Sequence, residues 1–130
     1  MAEAYLIDTS AVIKYLAVVF PPKGILFMDK IVNAESNISF ITAIELQVWN
    51  PSKPSDLQTC LTFIAGSNII LIEAPIISQA VLIRKKHKLK IPDAIIAATA
   101  IVNNYTLVAD NDKDFKKVAG LKYVNPATMK

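Results

Sequence analysis

Six acidic residues could together bind a metal ion if the fold gathers them: Asp8, Glu45, Asp93, Asp110, Asp112 and Asp114. Clustered carboxylates repel one another, so they persist where a cation compensates their charge. Oxygen ligands with few histidines or thiols select Mg²⁺ or Mn²⁺. Such ions, when paired about 3.5–4 Å apart, promote phosphodiester hydrolysis. The acids therefore favour metal-assisted hydrolysis of a phosphodiester.

The order of apolar and polar segments predicts where these acids lie. Asp8 directly follows an apolar run at residues 5–7, and three aspartates follow the run at 106–109. We expect Glu45 in the first turn of a helix after the second strand, and Asp93 in the first turn of a helix opened by Pro92. Sites in open α/β sheets form beyond the carboxyl ends of the strands, so these acids map to one edge.

The predicted elements alternate between strands and helices. Helical spacing or a proline start indicates helices at 11–16, 25–32, 42–49, 54–65, 75–86 and 92–103. Short, almost wholly apolar runs indicate strands at 5–7, 37–41, 69–72, 106–109 and 123–124. Such strands are typical of a parallel sheet covered on both faces. We predict a single domain, residues 1–130, with a three-layer α/β/α sandwich around a mostly parallel sheet of about five strands.

Composition excludes several other classes of protein. The 130 residues are 53% apolar and 19% charged, which suits a packed core rather than a disordered regulator. One cysteine and one histidine permit neither an internal disulfide nor a histidine-pair mechanism. The three glycines lie too far apart for a nucleotide-binding loop. No apolar run reaches the ~20 residues of a membrane span, so we expect a cytoplasmic protein without membrane association.

The basic residues surround the acidic ones. The chain carries a net charge of +3, and without the six acids named above the remainder sets 14 basic residues against five acidic ones. This distribution suggests a polyanionic partner. The densest basic run ends three residues before Asp93 and is a candidate for binding RNA phosphates: Arg84, Lys85, Lys86, Lys88 and Lys90. The alternative is a solvated helix end favoured by the helix dipole.

Four segments of the chain resemble the motifs of PIN domains, in the same order. They are LIDTSAV at residues 6–12, ITAIEL at 41–46, IPDAIIAATA at 91–100 and LVADNDKDF at 107–115. The third is the most specific. Length and motif order are most similar to the VapC-like toxins of prokaryotic toxin–antitoxin pairs.

This resemblance implies a metal-dependent endoribonuclease that uses Mg²⁺ or Mn²⁺. Asp8, Glu45 and Asp93 are then the acidic core of the metal site, and a metal-activated water attacks the RNA phosphodiester in line. The resemblance also implies a homodimer and inhibition by a small antitoxin protein. Ser10 and Thr42 are candidates for hydrogen bonds to the ligating carboxylates or to a bound water.

The fourth segment departs from the family pattern, which has Thr-x-Asp or Thr-x-Asn. Ala109 stands in place of the threonine, and Asn111 takes the place of the usual acid. Asn111 is therefore a candidate metal ligand, and either Asp112 or Asp114 supplies the missing charge. Because of this departure, a second interpretation is a PIN domain with a weakened metal site that serves as an RNA- or protein-binding module.

Each acid also has a purely structural interpretation. Asp8 can cap the following helix, and Thr42 with Glu45 fits a capping box. Asp93 can complement a helix dipole. A phosphoacceptor receiver domain would need an aspartate after the third strand, where the chain has Glu73. A calcium-binding EF-hand loop would need glycine where Phe115 stands.

Overall fold

Five short strands form one sheet in which every neighbouring pair is parallel. The computed structural model describes residues 3–130, and within them the strand order is β3-β2-β1-β4-β5. The strands are β1 (Tyr5–Ile7), β2 (Asn37–Ser39), β3 (Asn68–Ile70), β4 (Thr106–Val108) and β5 (Lys122–Val124). The helices are α1 (Thr9–Leu16), α2 (Pro22–Ala34), α3 (Phe40–Val48), α4 (Pro54–Ala65), α5 (Ala74–His87), α6 (Ile91–Val102) and α7 (Asp112–Phe115), followed by a 3₁₀ turn at Pro126–Thr128.

Alternate residues of β1 and β4 are buried on opposite faces of the sheet, as the two-residue period of a strand requires. Leu6 and Leu107 pack on one side, in a core cluster with residues of α5 and α6. Ile7 and Val108 pack on the other side, in a cluster with residues of α1 to α4. The predicted three-layer α/β/α fold with a five-stranded parallel sheet is confirmed.

The second strand is two residues shorter than predicted. Ser39 ends β2 and caps α3, because its side-chain oxygen accepts the backbone N–H of Ile41 at 3.1 Å. The helix therefore begins at Phe40, and Glu45 lies in its second turn rather than its first. The alternative interpretation of Thr42 and Glu45 as a capping box is wrong, because the cap of α3 is Ser39. The third strand likewise ends at Ile70, two residues earlier than predicted.

Helix α6 is the most deeply buried helical segment near the acidic edge. From Ala94 to Ala100 all residues but Ile95 are buried, and most of them are alanines. Small side chains let α6 pack closely against both α5 and the sheet. The start of α6 is consequently held in place, and Asp93 in its first turn is positioned by a rigid element.

Within residues 3–130, no helix combines the length and the apolar character needed to cross a membrane.

Candidate metal centre

Asp8 is a buried carboxylate at the carboxyl end of β1. Its backbone N–H bonds to the Val108 carbonyl at 2.9 Å, and its side chain is only 6% exposed. One carboxylate oxygen accepts the Ser10 hydroxyl at 2.6 Å and the Ser10 backbone N–H at 3.2 Å. Burial raises the pKa of Asp8, although the bonds from Ser10 oppose this shift. Asp8 caps α1 and is also available for metal binding, since its second oxygen is not used by Ser10.

Glu45 reaches the same region from the second turn of α3. The Thr9 hydroxyl, in the first turn of α1, donates to Glu45 Oε1 at 2.6 Å. The oxygen of Thr9 also lies 3.0 Å from the buried hydroxyl of Thr42. The two threonines thus orient Glu45 toward the end of β1. Burial is the main cause of the raised pKa of Asp8, and the charge of Glu45 adds to it.

Asp93 joins them from the first turn of α6. Its pKa is raised to about 6, first by burial and then by the negative charges of three other acids: Asp8, Asp114 and Glu45. Lys90, which precedes the helix, opposes the shift. A carboxyl group that resists ionisation near three other carboxylates marks a region of uncompensated negative charge.

The three aspartates after β4 have different surroundings. Asp114 influences Asp93 and is hydrogen-bonded to Asn111, whose amide donates to Asp114 Oδ2 at 3.1 Å. Asp112 instead accepts the Tyr123 hydroxyl at 2.7 Å, the largest cause of its lowered pKa. Asp110 forms an ion pair with Lys14, which lowers its pKa. Of these three, Asp114 is the one whose charge raises the pKa of Asp93.

Ser10 connects the end of β1 with the turn after β4. Its hydroxyl donates to Asp8 and accepts the backbone N–H of Asp110 at 3.3 Å. The same residue therefore sets the distance between the two neighbouring strand ends. Ser10 thus hydrogen-bonds the carboxylate of Asp8, whereas the hydroxyl of Thr42 contacts that of Thr9.

The donor set suits a hard divalent cation. Asp8, Glu45, Asp93 and Asp114 offer only carboxylate oxygens, and Asn111 offers an amide oxygen, which are ligands that Mg²⁺ and Mn²⁺ prefer. The side chains do not form a closed cage: among residues 3–130, no three His, Cys, Asp or Glu side chains lie close enough to share one ion. Ser10 holds one carboxylate oxygen of Asp8, and Thr9 holds one of Glu45, so the second oxygen of each carboxylate lies outside these bonds.

The predicted basic run lies beside this edge rather than inside it. Arg84, Lys85 and Lys86 are exposed in the last turn of α5, which is also where a helix dipole favours cations. Lys88 ends the helix in a left-handed conformation, and Lys90 is exposed at the start of α6. Of the five, Lys90 acts on Asp93.

Sequence reasoning missed four residues that surround the acids: Thr9, Lys14, Tyr123 and Asn125. Thr9 directly follows Asp8, and Lys14 lies six residues after Asp8 in the same helix, α1. Tyr123 and Asn125 belong to β5 and the residue after it, and only the pairing of β5 with β4 brings them near the aspartates.

Comparison with known families identifies the class of protein. A sequence profile described as the PIN domain matches residues 5–121. The chain therefore belongs to the PIN domain family, whose members are generally nucleases that use divalent metals. Comparison with curated proteins finds no match.

Solved structures with the same fold include toxin–antitoxin complexes. A toxin–antitoxin complex from Klebsiella pneumoniae is 30% identical, with a TM-score of 0.70, 95% of this chain covered and 98% of that one. VapBC2 from Rickettsia felis, bound to a promoter DNA fragment, is 25% identical, with a TM-score of 0.78 and coverage of 94% and 98%. DNA-bound VapBC from Salmonella typhimurium is 18% identical and shares the fold, with a TM-score of 0.79 and coverage of 95% and 98%. The likeness to VapC-like toxins is confirmed.

Proposed function

We propose that this protein is a metal-dependent endoribonuclease and the toxin of a toxin–antitoxin pair. The observation that carries the proposal is the carboxyl group of Asp93, whose pKa is raised to about 6 first by burial and then by the charges of Asp8, Asp114 and Glu45. Membership of the PIN family and similarity to toxin–antitoxin complexes support the choice of a nuclease toxin. RNA is the proposed substrate.

Asp8, Glu45, Asp93 and Asp114 would hold Mg²⁺ or Mn²⁺, with Asn111 as an amide ligand or as the residue that orients Asp114. A divalent cation in that position supplies the positive charge that makes water nucleophilic and offsets the charge of the reacting phosphate. The chain's own residues orient the reactants. Thr9 donates to Glu45 and keeps one of its oxygens in place, so that the other is available to accept a proton from water.

The exposed basic residues would bind the RNA backbone. Lys90 lies near Asp93 and offers a cation to the phosphate next to the one that is cleaved. Arg84, Lys85, Lys86 and Lys88 extend the positive surface along the end of α5. Phosphate contacts of this kind provide affinity without selecting a sequence.

The test is cleavage of labelled total RNA by purified protein freed of any partner. Reactions contain Mg²⁺, Mn²⁺ or EDTA, and we expect discrete cleavage only with a divalent ion. Asp93→Asn should abolish it. Asp56→Asn is a matched control, because Asp56 also lies in the first turn of a helix with a proline at its start. Equal cleavage by wild type and Asp93→Asn would refute the proposal.

Two exposed apolar surfaces support two protein partners. One is a groove of roughly 330 Å³ between α5 and α6, where Ile77 and Val81 are 52% and 47% exposed. The other lies at the end of α1, where Val18 is 72% exposed and Trp49 lines a nearby cleft. We propose that a second copy of the chain covers the groove between α5 and α6 in a homodimer, and that an antitoxin covers the surface at the end of α1. Loss of dimer in Val81→Glu, measured by sedimentation, with Val18→Glu as the matched variant, tests the first assignment.

The alternative is a binding module with a weakened metal site. Its support is that the carboxylates among residues 3–130 do not form a closed cage and that Asn111 replaces an acid. A ligand that binds only the folded state raises the melting temperature. A rise with Mn²⁺ that is absent in Asp93→Asn would therefore argue against this alternative.

A further inference from the structure

The turn after β4 carries three aspartates within five residues, and two of them are bound by side chains from β5 and from the residue that follows it. Asn125 donates one amide hydrogen to Asp110 Oδ1 and the other to Asp112 Oδ1, each at 2.9 Å. Tyr123 donates its hydroxyl hydrogen to Asp112 Oδ1 at 2.7 Å or to the Ala109 carbonyl at 3.0 Å. Tyr123 and Asn125 can therefore both donate hydrogen bonds to the aspartates of this turn.

The orientation of Asn125 is determined by its other contact. Its side-chain oxygen accepts the Ala127 backbone N–H at 2.9 Å and caps the 3₁₀ turn at Pro126–Thr128. Since the oxygen is used there, the amide nitrogen must face the aspartates. Asn125 is only 7% exposed, so solvent cannot readily replace these bonds.

Tyr123 fixes the backbone of the same turn. Besides its bond to Asp112, its hydroxyl oxygen accepts the backbone N–H of Asn111 at 3.0 Å. Its ring packs against Phe115, with centroids 6.0 Å apart, and Phe115 is buried in the core. Parallel pairing of Leu107 with Tyr123 sets the position of the hydroxyl. The residue thus ties the start of α7 to the sheet.

We infer that Tyr123 and Asn125 are positioning residues that hold Asp110 and Asp112 by hydrogen bonds and leave Asp114 as the aspartate of this turn that is available to the proposed metal centre. This inference rests on the proposed metal centre and adds residues that bear on it. Asn111 transmits the effect: its backbone is bound by Tyr123, and its side chain contacts both the backbone N–H and the carboxylate of Asp114. Lys14 pairs with Asp110 and reinforces the arrangement from α1.

The test measures Mn²⁺ binding to the metal-free protein by calorimetry, separately from cleavage. Tyr123→Phe keeps the ring and removes only the hydroxyl, and we expect about tenfold weaker Mn²⁺ binding, as for other residues that support metal ligands. Tyr15→Phe is the matched control, because the Tyr15 hydroxyl donates to Asp29 at 2.5 Å outside the acidic group. It should leave the affinity unchanged. Equal affinity of Tyr123→Phe and wild type would overturn the inference.

A double-mutant cycle separates positioning from a general loss of stability. If Tyr123 acts through Asp114, then Tyr123→Phe should weaken Mn²⁺ binding in the wild type but not further in Asp114→Asn. Additive losses would overturn the inference. Asn125→Ser, which keeps an oxygen for the Ala127 N–H and removes both amide donors, should behave in the same way as Tyr123→Phe.

Different results would contradict the positioning role and the proposed metal centre. If Mn²⁺ binds the wild type and not Asp93→Asn, but binds Tyr123→Phe and Asn125→Ser normally, only the positioning role is overturned. If Mn²⁺ binds wild type and Asp93→Asn equally, the proposed metal centre is wrong, and the positioning role is overturned with it.

Discussion

Replacing Asp93 by asparagine should stabilise the metal-free protein at neutral pH. The folded protein raises the pKa of Asp93 to about 6 from the ordinary value of 3.8, first by burial and then by neighbouring acids. A carboxyl group with a raised pKa favours folding while it is protonated. That contribution is fully present below pH 3.8 and is lost as the pH rises through about 6.

The size of the effect follows from the difference of about two pKa units. Each unit corresponds to about 1.4 kcal/mol, which gives an upper limit of roughly 3 kcal/mol. Asp93 is only partly buried, so water and salt screen the repulsion from its neighbours. We therefore expect a gain of about 1–2 kcal/mol for Asp93→Asn at pH 7.5.

The assay is urea unfolding of wild type and variant in EDTA at pH 4 and pH 7.5. The stability advantage of Asp93→Asn should be small at pH 4 and should increase toward pH 7.5. Asp56→Asn controls for the loss of a carboxylate in the first turn of a helix. With Mn²⁺ present the order should reverse, because only the wild type gains from the ion. An advantage that is absent, or that does not change with pH, would refute the reasoning.

Three further predictions concern the pH dependence of metal binding, the contribution of Lys90 to RNA binding and the packing around Gly24. Mn²⁺ affinity, measured by calorimetry, should fall about tenfold from pH 7 to pH 5. The reason is that a proton on Asp93, whose pKa is about 6, competes with the ion. A constant affinity would contradict this prediction. Lys90→Gln should weaken RNA binding. The slope of log affinity against log salt concentration should fall by the amount expected for about one phosphate contact, as measured by filter binding at several salt concentrations. Gly24→Ala should lower the free energy of unfolding by about 1–3 kcal/mol, because the added Cβ would lie 2.4 Å from the Pro126 carbonyl oxygen. Gly66→Ala, where the nearest atoms lie at 3.8 Å, should leave stability nearly unchanged, and equal losses would contradict the packing argument.

The sheet, and the position of Asp8 and of the turn after β4 at the ends of adjacent strands, were predictable because they depend on local pattern. Short apolar strands that alternate with helices leave few arrangements other than a parallel sheet, and its carboxyl edge collects the residues that follow each strand. Asp8 and the turn after β4 follow adjacent strands, and this placement required no knowledge of side-chain contacts. Asp93 was harder to place, because it follows a helix rather than a strand.

Boundaries were less predictable, since two local preferences competed at β2. The apolar run from Ile38 to Ile41, broken only by Ser39, favours a longer strand, whereas Ser39 is a strong helix cap. The cap prevails, because Phe40 begins the helix and Ser39 satisfies the N–H of Ile41. Because α3 begins two residues earlier than predicted, Glu45 lies about half a turn further from the start of the helix. Its side chain then meets Thr9 on α1, a contact between residues 36 positions apart that the sequence pattern does not reveal.

The allocation of the aspartates after β4 shows a stricter limit of sequence reasoning. Asp112 and Asp114 are alike in type and both fall in the first turn of α7, so nothing local distinguishes them. The distinction comes from β5, whose Tyr123 accepts one backbone N–H of the turn and binds Asp112. A turn with surplus acids can serve a metal centre only if the surplus charges are bound elsewhere, because unbound carboxylates would compete for the ion and repel the ligands. Tyr123 and Asn125, the residues proposed to decide which acid is left for the ion, are uncharged, and a search for acidic ligands alone passes over them.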